Sequence, residues 1–343
     1  MTETTLTSLG WTPFFARQLT GDETGTPARV TAVHRASVTV LGPQGIATLL
    51  PPEQAGNYAV GDWVLHDGTV VIRLLDRQTE VSRRAAGHVA LRQLIAANVD
   101  TLAIVTSCNA DFNVARLERY LAMAGAAGCL PLIVLTKADE ATDADDYVAR
   151  AQKLSPLASV IALDARNPDA AKRLYPWCKD GQTLALVGSS GVGKTTLQNL
   201  LTGIADTTQG MREDDAKGRH TTTSRALRPT LAGGWLIDTP GMRELRLTDA
   251  AEGIDTVFGD LSELAQQCKF NDCAHEREPG CAIQAAITDG TIDADRLARW
   301  QKLLREDEYN SETVAEARAR YKKLGKMYRG AQDARRNKRG DDL

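Results

Sequence analysis

The stretch Gly188-Ser189-Ser190-Gly191-Val192-Gly193-Lys194-Thr195 decides the reading of this chain. It matches G-x-x-x-x-G-K-[ST], the loop that cradles phosphates with inward-pointing backbone N–H groups. Glycines let the backbone wrap closely round an anion, and a helix starting at the loop's end adds positive potential. Lys194 can reach β- and γ-phosphates, and the Thr195 hydroxyl, followed by Thr196, can ligate Mg²⁺. Thr183–Val187 reads as a buried strand before the loop and Thr195–Leu201 as a helix after it. That context separates the motif from a chance glycine-rich turn.

Outward from the loop, strands and helices alternate. Strands are expected at 101–105, 132–135 and 160–163, and helices at 114–127 and 145–154. Residues 226–231 and 235–237 straddle Gly233-Gly234 and read as a hairpin. This alternation predicts a mostly parallel sheet covered by helices, with the site in the loops at the strands' carboxyl ends. Asp238-Thr239-Pro240-Gly241 ends one strand; Asp238 can hold Mg²⁺ through water, and Gly241 lies near the γ-phosphate. Thr136-Lys137-Ala138-Asp139 ends another. Asp139 can accept from N1–H and the 2-amino group of guanine, donors that adenine lacks there, so this loop selects GTP over ATP. The Lys137 stem can lie along the base plane.

The order of these loops is unusual. In most GTPases the phosphate loop comes first and the base-reading loop last, whereas here TKAD precedes the phosphate loop by about fifty residues. A sheet tolerates such a permutation when its original termini lie close together. A circularly permuted G domain is therefore expected.

Residues 29–75 carry short β-rich runs separated by Gly42-Pro43, Pro51-Pro52, Gly61-Asp62 and Asp67-Gly68. They predict a small β-barrel, with a five-stranded OB-type barrel fitting the size and a small sandwich as the alternative. Residues 77–97 read as a connecting region, basic at Arg77, Arg83, Arg84 and Arg92. The region 206–225 is polar, without apolar period, and reads as a mobile switch loop. The residue after DTPG is Met242, which cannot orient water. Another group must do so, and His220 is the candidate, against the plainer reading of an exposed loop histidine.

Cys268, Cys273, His275 and Cys281 form C-x₄-C-x-H-x₅-C, four soft ligands that suit a closed tetrahedral Zn²⁺ site. The alternatives are free thiols or one disulfide with a spare. Cys108, Cys129 and Cys178 are scattered and read as buried free thiols. Helices are expected at 293–306 and 311–328. Residues 315–340 hold ten Lys or Arg against two acids, while the whole 343-residue chain has a formal charge of −3. Such segregation suits RNA phosphates, against a merely solvated helix end. No run of eighteen apolar residues and no secretory leader is seen, so no membrane partner and a cytoplasmic location are expected.

The chain resembles the ribosome small subunit-dependent GTPase A family, the circularly permuted GTPases of small-subunit assembly. The resemblance rests on GDWV (61–64), NVD (98–100), RLERYL (116–121), TKAD, GSSGVGKTT, GRHTTT (218–223), DTPGMREL and the cysteine cluster. It implies an N-terminal OB-fold, a central permuted α/β P-loop G domain and a C-terminal zinc-binding helical domain. The expected boundaries are 1–90, 91–250 and 251–343, the last with the basic tail. It places the switch threonine within Thr221–Thr223, with Thr222 and Thr223 the candidates, and tolerates Thr136 where other GTPases carry asparagine. The second guanine-contacting loop should lie near Leu163-Asp164-Ala165. The implied function is hydrolysis of GTP to GDP and phosphate during late small-subunit maturation, stimulated by the subunit. The implied partners are the small ribosomal subunit and its rRNA, and a monomer is expected. Competing readings are an RNA-binding checkpoint with the G domain as a timer, and a P-loop kinase, which TKAD and DTPG oppose.

Overall fold

In the computed structural model, the described residues are 4–84, 92–204, 226–238 and 250–311. Strands β1 (Thr26–Val33), β2 (Val38–Gly42), β3 (Gly45–Leu49), β4 (Trp63–His66) and β5 (Val71–Leu74) form one sheet. Its order is β3-β2-β1-β4-β5, with every neighbouring pair antiparallel. The two outer strands meet through a parallel bridge between Leu50 and Val70. There Leu50 N donates to Thr69 O and Val71 N to Leu50 O, both at 3.0 Å. The bridge closes the sheet into the expected OB-type barrel and removes two free edges. Alternate residues point inward, so Val30, Val38, Val40, Leu49 and Val64 fill its interior.

The connector 77–97 holds more structure than its sequence announces. β6 (Glu80–Arg84) pairs antiparallel with β7 (Arg92–Ala97). A register shift between Val81 and Ser82 breaks the period of two that would have revealed the pair.

The large sheet contains β8 (Thr101–Ser107), β9 (Leu130–Thr136), β10 (Ser159–Ala162), β11 (Thr183–Gly188), β12 (Ala226–Pro229) and β13 (Trp235–Asp238). Its order is β10-β9-β8-β11-β13-β12, parallel except for the β12–β13 hairpin. Counted from the phosphate-loop strand β11 as the first, the order reads 6-5-4-1-3-2. The chain simply enters that sheet at the fourth strand, which is the permutation. β8 and β11 are buried along their whole length because helices cover both faces. The helices are α1 (Pro13–Ala16), α2 (Val114–Ala126), α3 (Ala144–Gln152), α4 (Pro168–Ala171), α5 (Lys194–Thr202), α6 (Ala251–Val257), α7 (Gly259–Ala265), α8 (Ala282–Thr288) and α9 (Ala294–Ser311). Asn113 caps α2 by accepting from Arg116 N at 2.9 Å.

Two buried polar junctions join the barrel and the C-terminal helices to this sheet. Arg29, in β1, donates to Leu9 O at 2.6 Å, Asn98 O at 3.1 Å and the Thr183 hydroxyl at 2.7 Å. Burial pushes its pKa down to about 10, against the opposing pull of Asp100 and Asp62. Thr183 opens β11, and Trp235, which opens β13, donates its Nε1–H to Ser8 O at 2.8 Å. The barrel is thus bolted to the amino ends of the strands, opposite the phosphate loop.

On the helical side, the carboxylate of Glu118 in α2 is fully buried. Arg299 Nε donates to it at 2.7 Å and Arg296 Nη1 at 3.4 Å, both from α9. Arg296 also forms a bidentate pair with Asp260 at 2.8 and 2.9 Å. Arg119 adds a second tie, to Glu306. Helices α2 and α6 cross so closely that a Cβ on Gly253 would lie 1.9 Å from Ala122 O. The RLERYL stretch is therefore the docking face for the C-terminal helices.

Candidate nucleotide and metal sites

The phosphate loop leaves β11 with Gly188 at φ 139°, where a Cβ would sit 2.1 Å from Val105 O. Gly191 at φ 77° and Gly193 at φ 94° continue the wrap in conformations that favour glycine. Helix α5 starts at Lys194 straight after Gly193. Val192 turns into the core, while Ser190 and Thr195 are exposed and Ser189, Lys194 and Thr196 are half-buried. Lys194 Nζ folds back over the loop and donates to Gly188 O at 2.8 Å and to Ser189 O. These carbonyls hold the ammonium where an incoming phosphate chain can take it. The Thr195 hydroxyl, an exposed hard oxygen at the first turn of α5, is the type of donor Mg²⁺ requires.

TKAD lies at the carboxyl end of β9, two strands from the phosphate loop. Thr136 joins the two loops. Its fully buried hydroxyl is 2.7 Å from Val192 O and 3.1 Å from Thr106 O. The threonine that stands where other GTPases carry asparagine thus ties the two loops together. Lys137 holds φ 56°, a left-handed conformation that costs on the order of 1 kcal/mol. The turn is held from both sides, by Thr136 on Val192 and by Ala138 N on Leu163 O at 3.4 Å.

Segment 163–166 lies against both loops. Ala165 Cβ is 3.4 Å from where a Cβ on Gly193 would stand. Arg166, which the sequence reading passed over, pairs through Nη2 with Asp139 Oδ2 at 2.5 Å and Glu140 Oε1 at 3.4 Å. Its Nε meets Asp164 Oδ1 at 3.3 Å. The hydrogen bond to Asp164, then the charge of Asp139, push the guanidinium pKa up. The only sequence signal for this group was the density of acids, Asp139, Glu140 and Asp164, round one basic residue.

His220, Thr221, Thr222, Thr223, Gly241, Met242 and the basic segment 315–340 lie outside the described residues, as does the Asp238 side chain.

In the C-terminal region, Cys268, Cys273, His275 and Cys281 bring one ligand atom each to within 4.8 Å of one another. His275 Nδ1 is 3.6 Å from the sulfurs of Cys268 and Cys281, which are 3.9 Å apart. A tetrahedral Zn²⁺ with Zn–S about 2.3 Å and Zn–N about 2.0 Å needs S–S edges of about 3.8 Å and S–N edges of about 3.5 Å. Cys268, His275 and Cys281 already stand at these edges, and Cys273 lies within 4.8 Å of them, so the four residues fit such an ion. His275 takes φ 61°, its carbonyl accepts from Gln284 Nε2 at 2.6 Å, and its ring packs on Trp300. The other cysteines, Cys108, Cys129 and Cys178, are buried free thiols.

Comparison with known proteins gives a consistent family. The family model described as RsgA GTPase matches residues 74–248, just over half of the 343 residues. An ABC transporter model matches 177–320, a span that takes in the phosphate loop but leaves out TKAD. A small ribosomal subunit biogenesis GTPase RsgA of Mesorhizobium japonicum is 52% identical over 315 residues, covering 89% of this chain and 91% of that protein. A small ribosomal subunit biogenesis GTPase RsgA 2 of Vibrio vulnificus is 49% identical over 332 residues, covering 96% and 95%. Among solved structures, YjeQ from Thermotoga maritima superposes with a TM-score of 0.60 at 23% identity, covering 82% of this chain and 98% of that one. No helix among the described residues is long and apolar enough to cross a membrane. The permuted strand order, the joined phosphate and TKAD loops and these relatives agree that the chain belongs to the RsgA GTPase family.

Proposed function

We propose that this ribosome-biogenesis GTPase binds the small ribosomal subunit and hydrolyses GTP to GDP and phosphate late in that subunit's maturation, faster on the subunit than alone. The observation that carries the reading is the Thr136–Val192 hydrogen bond of 2.7 Å, which ties the TKAD loop to the phosphate loop. The relatives named above supply the ribosomal half. In this reading Asp139 accepts from the base, and Lys137 flanks it. The amides of 188–193 and Lys194 stabilise charge on the phosphates as water attacks in line. Thr195, one of Thr222 and Thr223, and Asp238 would hold Mg²⁺, which neutralises phosphate charge when bound. Gly241 stands by the γ-phosphate, and His220 orients the attacking water, which Met242 cannot do. Zn²⁺ held by Cys268, Cys273, His275 and Cys281 stabilises the C-terminal fold.

The chain divides into the barrel with its linker (1–90), the G domain (91–250) and the zinc-binding region with the basic tail (251–343). It works in the cytoplasm as a monomer, with the barrel and the tail against rRNA. Co-sedimentation with purified subunits tests this. With a non-hydrolysable GTP analogue the protein should pellet with small subunits and not with large ones. Equal pelleting with both, or with neither, would overturn the partner assignment.

A further inference from the structure

We propose that Arg166 is a built-in competitor for the base site, a tethered counter-ion that guanine must displace from Asp139 to bind. The inference rests on the reading of Asp139 as the guanine acceptor. Three carboxylates, Asp139, Glu140 and Asp164, stand round this one guanidinium. Its Nη2 sits 2.5 Å from Asp139 Oδ2. That is an oxygen to which the base would present its N1–H and 2-amino hydrogens. Both cannot use the same carboxylate edge, because each places donors in the plane of the carboxylate.

The arginine has somewhere to go. Asp164 binds its Nε at 3.3 Å and fixes its backbone N–H at 2.8 Å, and Glu140 Oε1 is 3.4 Å from Nη2. Guanine capture is thus an exchange in which Asp139 trades a guanidinium for a base while Asp164 and Glu140 keep the guanidinium. The cost is small but real. The Arg166 side chain is 65% exposed and that of Asp139 33%, so solvent screens the pair. Arg166 therefore sets how tightly and how quickly nucleotide is held without abolishing binding. Because the contact lies at the base, GTP and GDP are affected alike.

Stopped-flow binding of ribose-labelled GDP and GTP tests this with Arg166→Ala and Arg166→Gln. Each variant should bind both nucleotides more tightly, by about two- to five-fold at low salt. The gain should vanish in about 1 M salt, where the Debye length is about 3 Å. In an Asp139→Asn background, Arg166→Ala should change nothing, since the competition has lost its object. Weaker or unchanged binding in both Arg166 variants overturns the proposal. So does a gain that persists beside Asp139→Asn, or one confined to GTP. If Asp139→Asn alone leaves the guanine preference intact, the base-site reading falls first and this proposal with it. A normal Asp139→Asn response with inert Arg166 variants removes the competitor alone.

Discussion

Glu118→Gln tests how the C-terminal helices are held on the GTPase sheet. The substitution keeps shape and removes one charge from a carboxylate with no solvent exposure. The 2.7 Å bond from Arg299 Nε loses its charged acceptor, and charge-assisted bonds of this kind contribute about 1.5–3 kcal/mol. The Arg296 contact, at 3.4 Å, is long, and Arg296 keeps Asp260 and Val257 O. The amide oxygen can still accept from Arg299, which returns about 1 kcal/mol. The net expected loss is about 0.5–2 kcal/mol for Gln. For Ala, where nothing accepts and a void is left, it is about 3 kcal/mol or more. Urea unfolding gives the size, and hydrogen exchange in α9 gives the place. Protection should fall first in α9 and α6, with the phosphate-loop strand β11 changing last. A Gln variant within about 0.5 kcal/mol of the parent, or one that loosens β11 before α9, would refute the reasoning.

Asp139→Asn should weaken GTP by about 1.5–3 kcal/mol and improve xanthosine triphosphate, whose 2-oxo group then meets a donor amide; paired titrations check it. Freshly purified protein should contain one zinc by elemental analysis, and Cys273→Ser should lose it and loosen residues 268–288 in proteolysis. Burial pushes the Cys129 thiol up to about 12 and Cys178 up to about 11, from 9.0 in the unfolded chain. Above pH 9 the folded chain therefore keeps protons that the unfolded chain releases, and stability should fall as pH rises from 9 toward 12. At pH 8 both thiols should resist alkylation until urea is added. His220→Ala should retain GTP binding and lose most of the subunit stimulation in a phosphate-release assay.

What was legible in the sequence follows the strength of local signals. β8 and β11 are continuous apolar runs buried on both faces, and each is found within two residues of its expected ends. The barrel strands carry turn residues between them, so their number and spacing could be read, though their closure through Leu50 and Val70 could not. The β6–β7 pair was missed because a bulge breaks its alternation. Helices α6, α7 and α8, of seven residues each, are too short to develop a period and are held by packing on α2 and on one another. In the site, glycine spacing announced the phosphate loop and cysteine spacing the metal cluster. The bonds of Thr136 to Val192 and of Arg166 to Asp139 span 56 and 27 residues, so nothing local encodes them. Glu118 is similar. Its partner Arg299 lies on α9, 181 residues away, so nothing local marks the pair.

Activation of this GTPase by the small subunit is open to a direct test. Phosphate release at saturating GTP should be measured with no subunits, with purified small subunits and with large subunits. Release should be slow alone, change little with large subunits and accelerate strongly with small ones. Supplying a missing catalytic element to a GTPase is worth roughly 10³–10⁵ in rate, which bounds the gain. Equal rates with and without small subunits would rule out activation by the subunit.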